Sequence, residues 1–154
     1  MNRQLLLQTR LLESASSTQL PLPQTVAFMV TKRSVLIVED DVDLRLILAA
    51  MLVQTGYQVR TAWDGVSALL EMETCIPDII VSDLNMPRMS GFELLSTVRA
   101  EFPSIPLIAM SGAFSGNQVP EGVTADAFYE KGTHPVFLIR LVSAMTRRRV
   151  SSQA

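Results

Sequence analysis

The sequence predicts an α/β domain of three layers, a doubly wound five-stranded parallel sheet between helices. Two patterns and the composition point there. Short apolar runs recur five times, separated by segments with helical spacing or turn chemistry. The runs are almost continuously aliphatic and β-branched instead of alternating, as strands covered on both faces require. Hydrophobic residues make up 48% of the 154 and charged ones 18%, the balance of a globular chain with room for one domain and a segment to spare. Parallel strands joined in this way need right-handed crossovers.

The first strand is VLIVED (35–40). DLRLILAAMLVQTG (43–56) then places Leu44, Ile47, Leu48, Met51 and Leu52 at helical spacing and stops at Gly56, a residue suited to end a helix. YQVRTA (57–62) is the second strand, after which Asp64 can cap a helix over GVSALLEMET (65–74). Pro77 and Asp78 restart the chain into the third strand, IIVSD (79–83). Ser90 and Glu93 form a capping box for GFELLSTVRAEF (91–102), which Pro103 ends. The fourth strand covers 106–111, within IPLIAMSG. In AFSGNQVPEGVTA (113–125), Gly116, Pro120 and Gly122 oppose a long helix, so a short or irregular one is expected. DAFYEK (126–131) is the fifth strand. Pro135 sits near the start of a last helix, VFLIRLVSAMTRRR (136–149), whose Arg147, Arg148 and Arg149 complement the negative end of the helix dipole.

The expected organisation is a domain over 32–149, a flexible tail or linker over 1–31 and a short tail over 150–154. SASSTQLPLPQ is rich in Ser and Pro, as linkers are. Met29 is a candidate translation start, which an intact mass of the native protein decides; the rival is an amphipathic helix carrying Leu5, Leu7, Leu11 and Leu12. A net charge of −2 gives no electrostatic reason to expect a nucleic-acid partner. No apolar run approaches the roughly 18 residues of a membrane span, and Gln8, Thr9 and Arg10 interrupt any signal-peptide core, so the chain is read as cytoplasmic. The single cysteine, Cys75, is read as a small buried hydrophobe, and an internal disulfide is impossible. His134, the one histidine, is read as a cap or surface residue at the start of the last helix.

Ligands of open parallel sheets bind beyond the carboxyl ends of the strands. There the first strand ends in Glu39, Asp40 and Asp41, the third in Asp83, the fourth in Ser111 and the fifth in Lys131. Gathered carboxylates repel one another unless a hard cation sits among them, and Mg²⁺ suits such oxygens. Ser111 can donate a hydrogen bond to a phosphoryl oxygen, and the Lys131 ammonium can offset anionic charge. This is a site for a tetrahedral dianion attached to a carboxylate.

VLIVEDD (35–41), VSDLNMP (81–87), MSG (110–112) and EK (130–131), in order and at fitting intervals, resemble the response-regulator receiver family over about 33–149. The resemblance implies a flavodoxin-like receiver fold. It further implies that Asp83 is the phospho-acceptor and that Asp40, Asp83 and the main-chain carbonyl of Asn85 bind Mg²⁺, with Glu39 acting through water. Ser111 would follow the phosphoryl group, Lys131 would contact it, and Phe128 matches the aromatic switch position. Gly132 stands where the family usually has proline, so a looser loop is expected after Lys131.

The function these residues imply is a stand-alone receiver. A sensor histidine kinase or histidine phosphotransfer protein would phosphorylate it, and it would then bind an unknown downstream protein differently. It would be a switch and not an enzyme, apart from slow loss of its own acyl phosphate. The alternatives are a phosphorylation-independent interaction module and, disfavoured by the lack of a second carboxylate suited to general acid work, an Mg²⁺-dependent phosphate-ester hydrolase. A nucleotide-binding Rossmann enzyme is disfavoured because no Gly-rich loop follows the first strand.

Overall fold

The structure is a computed structural model and describes residues 32–151 other than 117. The tail expected over 1–31, with Met29 and the leucines from Leu5 to Leu12, lies outside the described residues. The elements run β1 (Ser34–Val38), α1 (Val42–Gln54), β2 (Gln58–Ala62), α2 (Gly65–Thr74), β3 (Ile79–Asp83), α3 (Gly91–Glu101), β4 (Leu107–Ser111), β5 (Ala127–Glu130) and α4 (Val136–Ser151). All strand pairs are parallel, in the order β2-β1-β3-β4-β5.

The period of two along each strand divides the core. Leu36, Val38, Ile80, Leu107, Ala109 and Phe128 face α2 and α3. Val35, Ile37, Ile79, Val81, Ile108 and Met110 face α1 and α4. Every residue of β3 and β4 is buried, which is why these runs are apolar up to the polar residues that end them. Each fully buried aliphatic side chain contributes roughly 1.5–3 kcal/mol.

The helix boundaries follow from identifiable caps. Asp41, Asp64 and Ser90 accept from the amides of Leu44, Ser67 and Glu93, and the expected Ser90/Glu93 capping box is present. Gly56 takes φ +98° just beyond α1. α2 has no basic residue in its last turn; Arg60 of β2 supplies the charge instead, donating to the carbonyls of Glu71 and Cys75.

That role explains one correction. Cys75 is exposed, not buried, because it is the cap residue at the surface end of α2. In α1, Leu48 and Leu52 are buried, whereas Ile47 is 54% exposed and Leu46 59%. The apolar residues of α1 surround the helix, so spacing alone over-counts its core face. The short or irregular helix expected between β4 and β5 is absent among the described residues, which form turns and bends, because Gly116, Pro120 and Gly122 disfavour even one helical turn. His134 is exposed and its carbonyl accepts from the Phe137 amide at the start of α4.

Asp78 ties the start of β3 to β1. Its carboxylate accepts from the Ser34 amide (2.8 Å) and hydroxyl (3.1 Å) and pairs with Arg33 (3.1 Å). Burial works to raise its pKa, but these bonds outweigh burial and hold it below the ordinary aspartate value. A depressed folded pKa gives stability that is present above the unfolded value of about 3.9 and is lost as pH falls through the folded one. Asp78→Ala is expected to cost about 1–3 kcal/mol in urea unfolding at neutral pH. The variant should also lose less stability than wild type on acidification below about pH 4.

Candidate functional site

Glu39 follows β1 directly. Its amide donates to the Ala62 carbonyl (3.1 Å), which extends the β1–β2 ladder by one residue and drives the side chain into a fully buried position. Asp40 is exposed beside it. Asp41 turns away to cap α1, with Oδ1 accepting from the Leu44 amide at 2.8 Å, and so leaves the acidic group. Arg45 reaches back from α1 to the carbonyls of Glu39 (2.5 Å) and Asp40 (3.3 Å), anchoring the turn that carries both acids.

Asp83 is the last residue of β3 and is 3% exposed. Its carbonyl accepts from the Ser82 hydroxyl (2.9 Å), and the next amide, of Leu84, donates to Met110 of β4 (2.9 Å). Gly91 packs against the same stretch, and a Cβ there would lie 1.9 Å from the Asp83 carbonyl oxygen. Only glycine lets α3 begin against the backbone of Asp83. The loop between them turns the Asn85 amide to the Asp83 carboxylate (Oδ1, 3.3 Å) and the Asn85 side chain to Ser111 Oγ (3.3 Å).

Ser111 closes β4, fully buried, and its hydroxyl oxygen also accepts from the Ala113 amide (3.0 Å). Lys131 follows β5, held by its amide to the Ser111 carbonyl (2.9 Å). The expected looseness after Lys131 is absent. Residues 130–133 form a turn closed by the Thr133 amide and hydroxyl on the Glu130 carbonyl (3.3 and 2.7 Å), and the Tyr129 hydroxyl donates to the Thr133 carbonyl (3.0 Å). Gly132 takes φ +89°, open to glycine and closed to proline.

The turn aims the ammonium at the acids. Lys131 Nζ lies 2.7 Å from Glu39 Oε2 and 2.7 Å from Asp83 Oδ2. Burial pushes the Glu39 carboxyl above its ordinary value against the pull of Lys131, with the Asp83 charge adding to the rise. Burial works to lower the Lys131 pKa, but the bonds and charges of Asp83 and Glu39 outweigh it and raise the pKa above the ordinary lysine value. The ammonium is therefore charged at neutral pH.

Carboxylate oxygens of Glu39, Asp40 and Asp83 lie within 4.8 Å of one another. Three acids at that spacing fit a hard divalent cation such as Mg²⁺, and among the described residues Glu39 Oε2 has no hydrogen-bond donor beyond its ion pair with Lys131. Asp40, exposed on the open side, provides an oxygen that water and ions can reach. Phe128 is 2% exposed, turned into the core, with Phe114 edge-on to its ring at a centroid distance of 6.4 Å.

Sequence reasoning brought Glu39, Asp40, Asp83, Ser111 and Lys131 to one rim but missed the groups that hold them. Arg45 has the helical spacing of a solvated residue, and Gly91 reads as an ordinary helix start. Their contacts are made by backbone that only the folded sheet brings near. Arg88 was likewise unremarked; it pairs with the buried Asp64.

Lys131→Met should leave two buried acids without a counter-charge and cost about 3–5 kcal/mol. Millimolar Mg²⁺ should restore much of that stability in a thermal melt if the cation binds among the same oxygens. Gly91→Ala should destabilise by at least about 1–3 kcal/mol, read by chemical denaturation, since the nearest atoms are backbone and cannot swing aside.

The sequence profile of the response regulator receiver domain matches residues 35–130. Among curated relatives, the chain is 34% identical over 125 residues to the transcriptional regulatory protein PrrA of Mycobacterium tuberculosis, covering 80% of this chain and 54% of PrrA. It is 37% identical over 125 residues to an uncharacterized 14.6 kDa protein of Leptolyngbya boryana, covering 77% of this chain and 91% of that one. Among solved structures, the chemotaxis response regulator CheY4 of Vibrio cholerae superposes with a TM-score of 0.65 at 30% identity, over 75% of this chain and 99% of CheY4. The chain spans about half the length of PrrA. The profile match, covering most of the described sheet, and the strand order β2-β1-β3-β4-β5 together make this chain a member of the response regulator receiver domain family.

Proposed function

We propose that Asp83 accepts a phosphoryl group from a phosphohistidine of a sensor histidine kinase or histidine phosphotransfer protein, with Mg²⁺, and that the modified domain changes its binding of a downstream protein. The observation that carries this reading is the Lys131 ammonium, 2.7 Å from both Glu39 and Asp83. An Asp83 carboxylate oxygen would attack phosphorus as the P–N bond of the donor breaks. The imidazole nitrogen then leaves with the electron pair and takes up a proton. Lys131 would pass from the carboxylate to the new phosphoryl oxygens, and Ser111 would turn its hydroxyl from the Ala113 amide to donate to one of them. Mg²⁺, held by Asp40, Asp83 and the Asn85 carbonyl with Glu39 acting through water, would supply charge neutralisation on those oxygens.

Movement of Ser111 would loosen the described residues between β4 and β5, and with them the contact between Phe114 and Phe128. Phe128, Phe137 and Leu141 line a groove of about 460 Å³ beside that segment. A charge near −2 arriving on a strand end is enough to bias such a two-state segment. The module is read as residues 32–149 with tails on either side, working in the cytoplasm. Among the described residues no helix is long and apolar enough to cross a membrane.

Incubation with Mg²⁺ and a small phosphodonor such as acetyl phosphate should add the mass of one phosphate to the wild-type chain and none to Asp83→Asn. Equal gain by the variant would refute the assignment.

A further inference from the structure

We propose that Arg88 is a positioning residue of the phosphorylation site, holding the loop that carries Asn85 by its ion pair with Asp64. The inference rests on the receiver reading above. The loop leaves the sheet at Leu84 and returns at Gly91, whose amide donates to the Leu84 carbonyl at 3.0 Å. Nothing within that excursion belongs to a helix or strand. Its tip is a tight turn in which the Met89 amide donates to the Pro87 carbonyl at 2.8 Å, with Arg88 at the centre and φ +66°. Left-handed backbone is disfavoured for a residue with a Cβ, and a γ-turn of this sign is strained. The turn persists because its tip is docked on the start of α2.

Three contacts make that dock. The Arg88 guanidinium pairs with Asp64 Oδ2, an oxygen of a fully buried side chain that has, among the described residues, no hydrogen-bond donor beyond this ion pair. The other oxygen, Oδ1, is already used by the Ser67 amide at 2.7 Å. The Gly65 amide donates to the Met89 carbonyl at 3.3 Å, and a Cβ on Gly65 would lie 2.6 Å from Met89 Cγ. Without Arg88, the Asp64 charge would be buried with no cation, and the tip would lose its polar anchor. Asn85 lies three residues before Arg88 in the same loop and bonds to both Asp83 and Ser111. The clamp at Arg88 therefore limits how far the Asn85 carbonyl can stray from the acids.

The test is calorimetric titration of the full chain with Mg²⁺, beside amide exchange at Gly65 and Met89. Arg88→Gly removes the charge while relieving the positive φ, and so separates the ion pair from backbone strain. It should weaken Mg²⁺ binding by about tenfold, as loss of groups supporting metal ligands does, and speed exchange at Gly65. Arg88→Lys should restore part of both. Asp64→Asn keeps the helix cap and should match Arg88→Gly, with the double variant no worse than either. Wild-type Mg²⁺ affinity and exchange in Arg88→Gly would overturn the proposal. If the wild type itself binds no Mg²⁺, the receiver reading of the site falls and this inference with it. Faster Gly65 exchange in Arg88→Gly would then show only a structural clamp.

Discussion

One ammonium among buried acids governs the site. Glu39 and Asp83 lie at the ends of adjacent strands, nearly or fully out of water, and two carboxylates so placed would repel each other strongly. Lys131 offsets both from one position. The same balance leaves the site responsive, because a divalent cation or a new phosphoryl group alters the charge that the ammonium has to satisfy.

The rest of the fold serves to keep those groups from relaxing apart. Parallel pairing sets the ends of β1, β3, β4 and β5 on one rim, and the core on either side leaves the strands no freedom to shift. Register matters here, since a slip of one residue would send Asp83 to the opposite face of the sheet. Three arginines finish the arrangement. Arg45 holds the acid-bearing turn, Arg60 closes α2, and Arg88 ties down the loop after Asp83. Each acts on backbone or on a buried charge, where a hydrogen bond to an ionised group counts for more than at the surface.

Much of this was legible in the sequence, and the part that was not has a common cause. Strands such as IIVSD and caps such as Asp64 and Ser90 are local: their residues interact within a turn or alternate along one segment, so spacing reveals them. The convergence of Glu39, Asp40, Asp83, Ser111 and Lys131 was legible because strand ends of a parallel sheet share one rim. Cys75 was misread because apolar character does not say which side of an element faces the core. The turn after Lys131 was expected to be loose because Gly132 replaces proline, yet Thr133 and Tyr129 close it with side-chain bonds that no local pattern announces. Arg88 acts across to another helix, and a Gly91 Cβ would strike the end of β3, which sequence distance conceals.

The central claim is that the phosphoryl group resides on the Asp83 carboxylate. The most direct measurement is reduction of the phosphorylated chain with borodeuteride, which converts an acyl phosphate to a deuterated homoserine, followed by peptide mass mapping. The account predicts the label at position 83 alone. Label at Asp40 or Asp41, or at no aspartate in a chain that has gained phosphate, would contradict it.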